Sequence, residues 1–274
     1  MTIPIASSIA ALFGLFIGSL LNVCIDRIPA GESIIRPPSH CSSCKQRLSE
    51  KDLIPLFSYI FLRGRCRYCG VKIPIRICLV ELTTAILFGL ITWHFLSHQD
   101  GLSVHIAMPL IYACIFIVIF FIDLEQQIII NMTIYIGIAL ALIFSFFWFQ
   151  FFWPTSPDFS IWPHQGILSA LLGGVTGATL ILLPNIITRG RGMGGGDVML
   201  AGFIGTATGF PLVIVALVIG IIGGGLTAIA LVALRRKKRK DAIPFGPFLA
   251  VAAMVTLIWG PQILHWYSSW YPGT

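Results

Sequence analysis

The 18 lysines and arginines of this 274-residue chain fall in three stretches, and long apolar segments without one run between them. Ten lie between Asp26 and Ile77, two are Arg189 and Arg191, and six form the run Arg235 to Lys240. A bilayer core about 30 Å thick takes ~20 apolar residues of helix to cross, and most of the intervening segments are long enough. Eight crossings are expected, at Ile3–Cys24, Cys78–Leu96, His105–Ile122, Asn131–Trp153, Gly166–Thr188, Val198–Thr208, Pro211–Leu234 and Phe245–His265. The sixth is short for a span. Composition agrees, with 57% hydrophobic and 11% charged residues, against about 25% charged in a soluble domain. Mean hydropathy is +0.90. These values exclude a disordered chain, a fibrous one and an ordinary soluble enzyme. The expected fold class is an all-α polytopic membrane protein, a bundle of about eight transmembrane helices.

Positive charge favours the cytoplasmic side of a membrane. Placing all three basic stretches there requires an even number of crossings between them, and the count allows it. The loops Ser97–Val104 and Pro154–Gln165 and the tail after His265 hold no Lys or Arg and become external, so both termini face outward. Residues 3–24 lack the basic n-region of a cleavable signal peptide and are read as a retained helix. A pI near 9.2 and a net charge of +7 invite a nucleic-acid reading. The placement of the charge argues for no nucleic-acid partner: the basic clusters are topology signals that can touch anionic membrane lipids.

Three segments follow: a first transmembrane helix at 1–24, a soluble loop at 25–77, and a transmembrane portion at 78–274. The loop holds Pro29, Pro37, Pro38, Pro55 and Pro74 and shows little helical periodicity. It also holds four of the seven cysteines, as Cys41-Ser-Ser-Cys44 and Cys66-Arg-Tyr-Cys69. Two CxxC knuckles separated by 21 residues come within a residue or so of zinc-ribbon spacing. Lys45, Arg65, Arg67 and Lys72 would help keep the thiolates ionised. Two disulfides are the alternative, but a cytoplasmic loop is kept reducing, so structural zinc on Cys41, Cys44, Cys66 and Cys69 is the expectation. Cys24, Cys78 and Cys114 are read as small apolar packing residues.

Acids inside membranes are costly and usually functional. Four need explaining: Glu81, Asp123, Glu125 and Asp197. Asp123 ends the apolar run Ile115–Ile122, and Asp197 follows Met193-Gly-Gly-Gly196. The topology puts both at one depth on the cytoplasmic side. A carboxylate pair in a low-dielectric site tends to share a proton, which can activate water and protonate a leaving amine, as aspartic proteases do. Plainer readings stand beside this one. Asp197 could be a helix N-cap, and Asp123 could mark where its helix leaves the bilayer. Gly173–Gly174 and Gly223–Gly225 are read as helix-packing glycines.

Taken in order, the motifs resemble those of the type IV prepilin peptidases. Gly18-Ser-Leu-Leu-Asn22-Val-Cys-Ile-Asp-Arg27-Ile-Pro29 is similar to that family's opening segment. Ser39 through Cys69 resembles its tetracysteine loop, and Leu79-Val-Glu81-Leu follows. Ile122-Asp123 stands where its first catalytic aspartate would be, Gly192-Met-Gly-Gly-Gly-Asp197 matches its GxGD motif, and Ile243-Pro-Phe-Gly-Pro247 its C-terminal signature. The resemblance implies a membrane-embedded aspartic endopeptidase with catalytic Asp123 and Asp197. Such an enzyme cleaves the leader of type IV prepilins or pseudopilins after a glycine at the cytoplasmic face. It also implies N-methylation of the new terminus from S-adenosylmethionine, in a bacterial inner membrane. Where the family often carries a second Asp, a His and Leu-Pro-Asp, this chain has Glu125, Gln126 and Ile130-Asn131; Met199 replaces a usual lysine.

About fifty loop residues are too few for a Rossmann methyltransferase domain, and no strand leads into a GxGxxG turn. A methyl-donor site would therefore be composite, with Asn22, Arg27, Gly64 and Glu81 as candidates by position. For Glu81 the competing expectation is an ion pair with Arg76 or Arg27. The run Arg235–Lys240 is read as a topology anchor. Among other classes, a peptidase without methyl transfer and a transporter built on intramembrane acids remain the alternatives. A non-enzymatic assembly protein would need no carboxylate pair. A zinc metalloprotease would need HExxH spacing, which the six histidines lack.

Overall fold

In the computed structural model of the protein, residues 2–98, 106–151, 166–187, 194–236 and 244–270 are described. The expected external loops, Arg189, Arg191, Gly192, Met193, residues 237–240 and Ile243 lie mostly or wholly outside these residues. Among the described residues the regular structure is helical: α1 (Ile3–Ala30), α2 (Phe57–Phe61), α3 (Ile75–His98), α4 (Ala107–Gln126), α5 (Asn131–Phe151), α6 (Ile167–Ile187), α7 (Gly195–Thr208), α8 (Leu212–Ala233) and α9 (Gly246–Ser268). Each of the eight expected crossings coincides with one of the longer helices. Six of them, α1, α3, α4, α6, α8 and α9, are long and apolar enough to cross a membrane. With 14 residues, α7 spans only about 21 Å. It needs no lipid-facing length, because Leu200 through Thr206 are all buried.

The chain divides into two compact units, Met1–Val118 and Ile119–Thr274. In the first, α1 and α3 run antiparallel in close contact. A Cβ added at Gly14 would lie 2.9 Å from Ala85 Cα, and one at Gly18 2.6 Å from Glu81 Cα. The Gly14-x-x-x-Gly18 spacing puts both on one helical face, so the backbones meet where side chains would separate them. The other face of α1 exposes Phe13, Phe16 and Leu20, as a lipid-facing surface would. Helix α1 runs six residues past its expected end, through Arg27 and Pro29, and stops at Gly31 in the left-handed conformation with φ 68°.

The loop between α1 and α3 is built from two equivalent knuckles. Cys41 N–H donates to Gln46 O at 3.0 Å, and Cys66 N–H donates to Val71 O at 2.8 Å. Isolated bridges His40–Arg47 and Arg65–Lys72 close each turn. The residue after each second cysteine is left-handed, Lys45 with φ 56° and Gly70 with φ 72°.

In the second unit, α6 and α7 are antiparallel and nearly touch. A Cβ at Gly173 would lie 2.2 Å from Gly205 O, and one at Gly177 2.3 Å from Ala201 O. On α9, Leu249 lies 2.9 Å from where a Cβ of Gly220 would stand, so α8 packs there through a glycine too. The packing expected of Gly173–Gly174 is present. In the other run Gly224 meets Phe245, whereas nothing lies within 4 Å of a Cβ at Gly225.

Candidate active site

Asp123 lies in the last turn of α4 and Asp197 in the first turn of α7, both within the second unit. They are 4% and 8% exposed, and their charges lie close enough to interact. The backbone sets each position. Asp123 O accepts the N–H of Gln127 at 2.9 Å; Gln127 is left-handed with φ 55°, and this ends α4. Asp197 is the third residue of α7, and its Oδ2 accepts the Gly194 N–H at 2.9 Å. It therefore closes the helix start from inside rather than serving as the N-cap itself.

Two glycines shape the surroundings. A Cβ at Gly246, the first residue of α9, would lie 2.6 Å from Asp123 Oδ2 and 3.4 Å from Ile129 Cδ1. A Cβ at Gly196 would lie 2.9 Å from Ile129 Cβ. Ile129 thus packs against both glycines, one beside each aspartate. The Gly246 N–H faces the Asp123 carboxylate, yet Oδ2 makes no hydrogen bond of good geometry. Each carboxylate sits at the N-terminal end of a helix, Asp123 by α9 and Asp197 on α7. The partial positive charge of those ends favours negative charge in an otherwise costly place.

The four knuckle cysteines come together in the first unit, with their sulfurs all within 4.8 Å of one another. Cys41 and Cys66 are buried, Cys44 and Cys69 exposed, and none is in a disulfide. Cys41 Sγ and Cys69 Sγ are 3.8 Å apart. A tetrahedral ion bonded to four sulfurs at about 2.3 Å would hold them ~3.8 Å apart. The cluster therefore suits one metal ion. Amides of Cys44 and Ser43 pull the Cys41 thiol down to about 6, outweighing its burial, so it reaches the ligating thiolate form readily. Asp52, which no chemistry-bearing motif in the sequence singles out, fastens the second knuckle to the preceding turn. It accepts the Ser49 hydroxyl at 2.7 Å and N–H at 3.1 Å, Arg67 Nε at 2.7 Å and the Tyr68 hydroxyl at 3.1 Å.

The remaining candidates lie where the loop meets α1 and α3. Glu81 Oε2 accepts the Leu56 N–H at 2.8 Å. Arg76 pairs instead with Asp26 at 2.5 Å, and Arg27 Nη1 donates to Ser33 O at 2.9 Å. In place of the ion pair expected of Glu81 stands the neutral backbone donor of Leu56. Asn22 Nδ2 donates to Ile77 O at 3.0 Å and Gly18 O at 3.3 Å, while its buried Oδ1 has no partner. Gly64 is left-handed, φ 65°, and a Cβ there would press on the Tyr59 hydroxyl at 2.9 Å. Among these four, Asn22 Oδ1 is the one buried acceptor left open.

Fold and site together define a polytopic helical membrane protein with a buried aspartate pair and a four-cysteine loop. Residues 12–95 match the family model described as Bacterial Peptidase A24 N-terminal domain, and residues 110–229 that of the Type IV leader peptidase family. The two matches take in most of the chain, which belongs to the type IV leader peptidase family. Similar curated proteins are named prepilin leader peptidase/N-methyltransferase. The one from Pseudomonas putida is 28% identical over 278 residues, 93% of this chain and 91% of the relative. That from Bacillus subtilis strain 168 is 29% identical over 261 residues, 95% of this chain and 97% of the relative. No solved structure matches the chain.

Proposed function

We propose that this protein is a membrane-embedded aspartic endopeptidase that removes the leader of type IV prepilins or pseudopilins, and that it then N-methylates the new terminus. The observation that carries the proteolytic half is the meeting of Asp123 and Asp197 as a buried pair at two helix ends. In this reading the pair shares one proton. The ionised carboxylate takes a proton from a water held between them as its oxygen attacks the scissile carbonyl carbon. The protonated carboxyl group polarises the carbonyl oxygen, and the tetrahedral intermediate collapses as the amine leaves with a proton. Burial supports this chemistry, because charge–charge terms strengthen where water is excluded.

The loop side is the cytoplasmic side, both termini are external, and the membrane is the bacterial inner membrane. Cys41, Cys44, Cys66 and Cys69 hold one structural zinc, and the loop from 25 to 77 is the methyltransferase part, with 78–274 as the peptidase. S-Adenosylmethionine is the methyl donor by family resemblance, and the similar proteins' names carry the N-methyltransferase activity it would serve. Asn22, Arg27, Gly64 and Glu81 would need further residues to hold it. Membranes containing the protein, incubated with a prepilin precursor and S-adenosylmethionine, should yield a product that lacks its leader and carries one methyl group. An uncleaved precursor would refute the peptidase, and a cleaved unmethylated product would leave the peptidase alone. Metal analysis should find one zinc per chain; four free thiols and no zinc would refute the metal centre.

A further inference from the structure

The helix α2 and the turn before it carry large side chains that the chain leaves uncovered: Phe57 is 55% exposed, Ile60 66% and Phe61 82%, with Leu53 and Ile54 exposed beside them. A soluble loop on a zinc centre has no reason to present such a patch to water. One hydrogen bond sets its depth. Leu56, the residue that opens α2, is held through its N–H by Glu81 of α3 at 2.8 Å, and Glu81 is itself fixed against α1, where a Cβ at Gly18 would lie 2.6 Å from its Cα. Glu81 is five residues into α3 from Arg76. Arg76 and Asp26 pair with each other, as charges at a membrane surface do. At 1.5 Å per residue α3 places Glu81, and Leu56 with it, about 8 Å inward of that ion pair. That is the depth at which amphipathic segments rest between headgroups and acyl chains. Immediately after α2 come Arg63 and Arg65, both exposed, and basic residues beside a bilayer are drawn to anionic phosphates.

We propose that α2 is an interfacial anchor: Phe57, Ile60 and Phe61 sit in the lipid boundary, and Arg63 and Arg65 take phospholipid phosphates. The occupant of this face is the bilayer itself, continuous with the lipid around α1 and α3. The metal-binding loop is thereby held flat against the membrane at its α2 end. The inference rests on α1 and α3 spanning the membrane.

A photoreactive benzophenone amino acid placed at residue 61, 86 or 51 in the full chain tests this. The protein is reconstituted in nanodiscs of phosphatidylethanolamine and phosphatidylglycerol and irradiated, and the adducts are weighed. Ile86 is an exposed residue within α3 and reports the spanning reading; Lys51 is an exposed loop residue away from the patch. The proposal expects the mass of one phospholipid added at 61 and at 86, and none at 51. Lipid at 86 but not at 61, or a protein adduct at 61, overturns the anchor while leaving the spanning helices intact. Equal lipid capture at 51 overturns it as well, since contact would then not belong to α2. No lipid at 86 overturns the spanning reading on which the anchor depends.

Discussion

Gly246 has no side chain where one would meet Asp123 Oδ2 at 2.6 Å. The opposing atom is the end of a rotatable carboxylate, so Gly246→Ala should fold but re-aim Asp123. Leader cleavage is expected to fall at least tenfold, about 1.4 kcal/mol in the barrier, with the melting temperature nearly unchanged. Measured kcat and thermal unfolding check this together. Asp52 offers a pH test. Against the effect of its burial, Ser49, Arg67 and Tyr68 hold its carboxyl down to about 2 from an ordinary 3.8. Because the folded value is depressed, its stabilisation is present above pH ~4 and is lost as pH falls toward ~2. In metal-stripped protein, pepsin nicking of the loop should be faster in Asp52→Asn than in wild type near pH 4, and the two should converge near pH 2. At this scale the aspartates and cysteines were legible as residue types with known chemistry. Ser49-x-x-Asp52 is a local capping-box pattern, but the bonds from Asp52 to Arg67 and Tyr68 depend on how the loop folds back. Nothing in the sequence marked Ile129, because an isoleucine between two helices looks the same whether or not it packs beside a site.

Helix α7 delivers Asp197 only because α6 lets it come close. At Gly205 a Cβ would lie 2.0 Å from the Gly173 carbonyl oxygen, and no rotamer relieves a clash with backbone. Gly205→Val is expected to cost about 3 kcal/mol or more and to lose cleavage by displacing α7. Gly225→Ala, in open space, should be neutral or slightly stabilising, since alanine favours helix by about 1 kcal/mol over glycine. Thermal unfolding in detergent separates the two. The helices themselves were legible from the length of their apolar runs, with ends within several residues. Helix α1 overran its expected end because Arg27, counted as a loop charge, is buried and bonded to Ser33 O. Helix α2 and its hold on Glu81 were not legible, because a contact 25 residues apart depends on how α1 and α3 pack, not on local pattern.

For the whole molecule, topology and chemistry stand or fall together, since prepilin leaders are presented from the cytoplasm. Tags at Gln99 and Ser156 should be reachable from outside intact cells, and tags at Lys51 and Lys238 should not. An external Lys51 would put the cysteine loop in the wrong compartment for reduced thiolates. Charge placement supports this orientation, since it requires an even number of crossings between the three basic stretches. What the fold adds is that Asp123, in the last turn of α4, and Asp197, in the first turn of α7, are both buried in one compact unit although far apart in sequence. The most direct measurement is leader cleavage of a prepilin by Asp123→Asn, Asp197→Asn and the double variant, each confirmed as folded by its melting temperature. If the two carboxylates act as one unit, each single variant loses cleavage entirely and the double variant is no worse. A folded Asp197→Asn protein that still removes the leader would contradict the account.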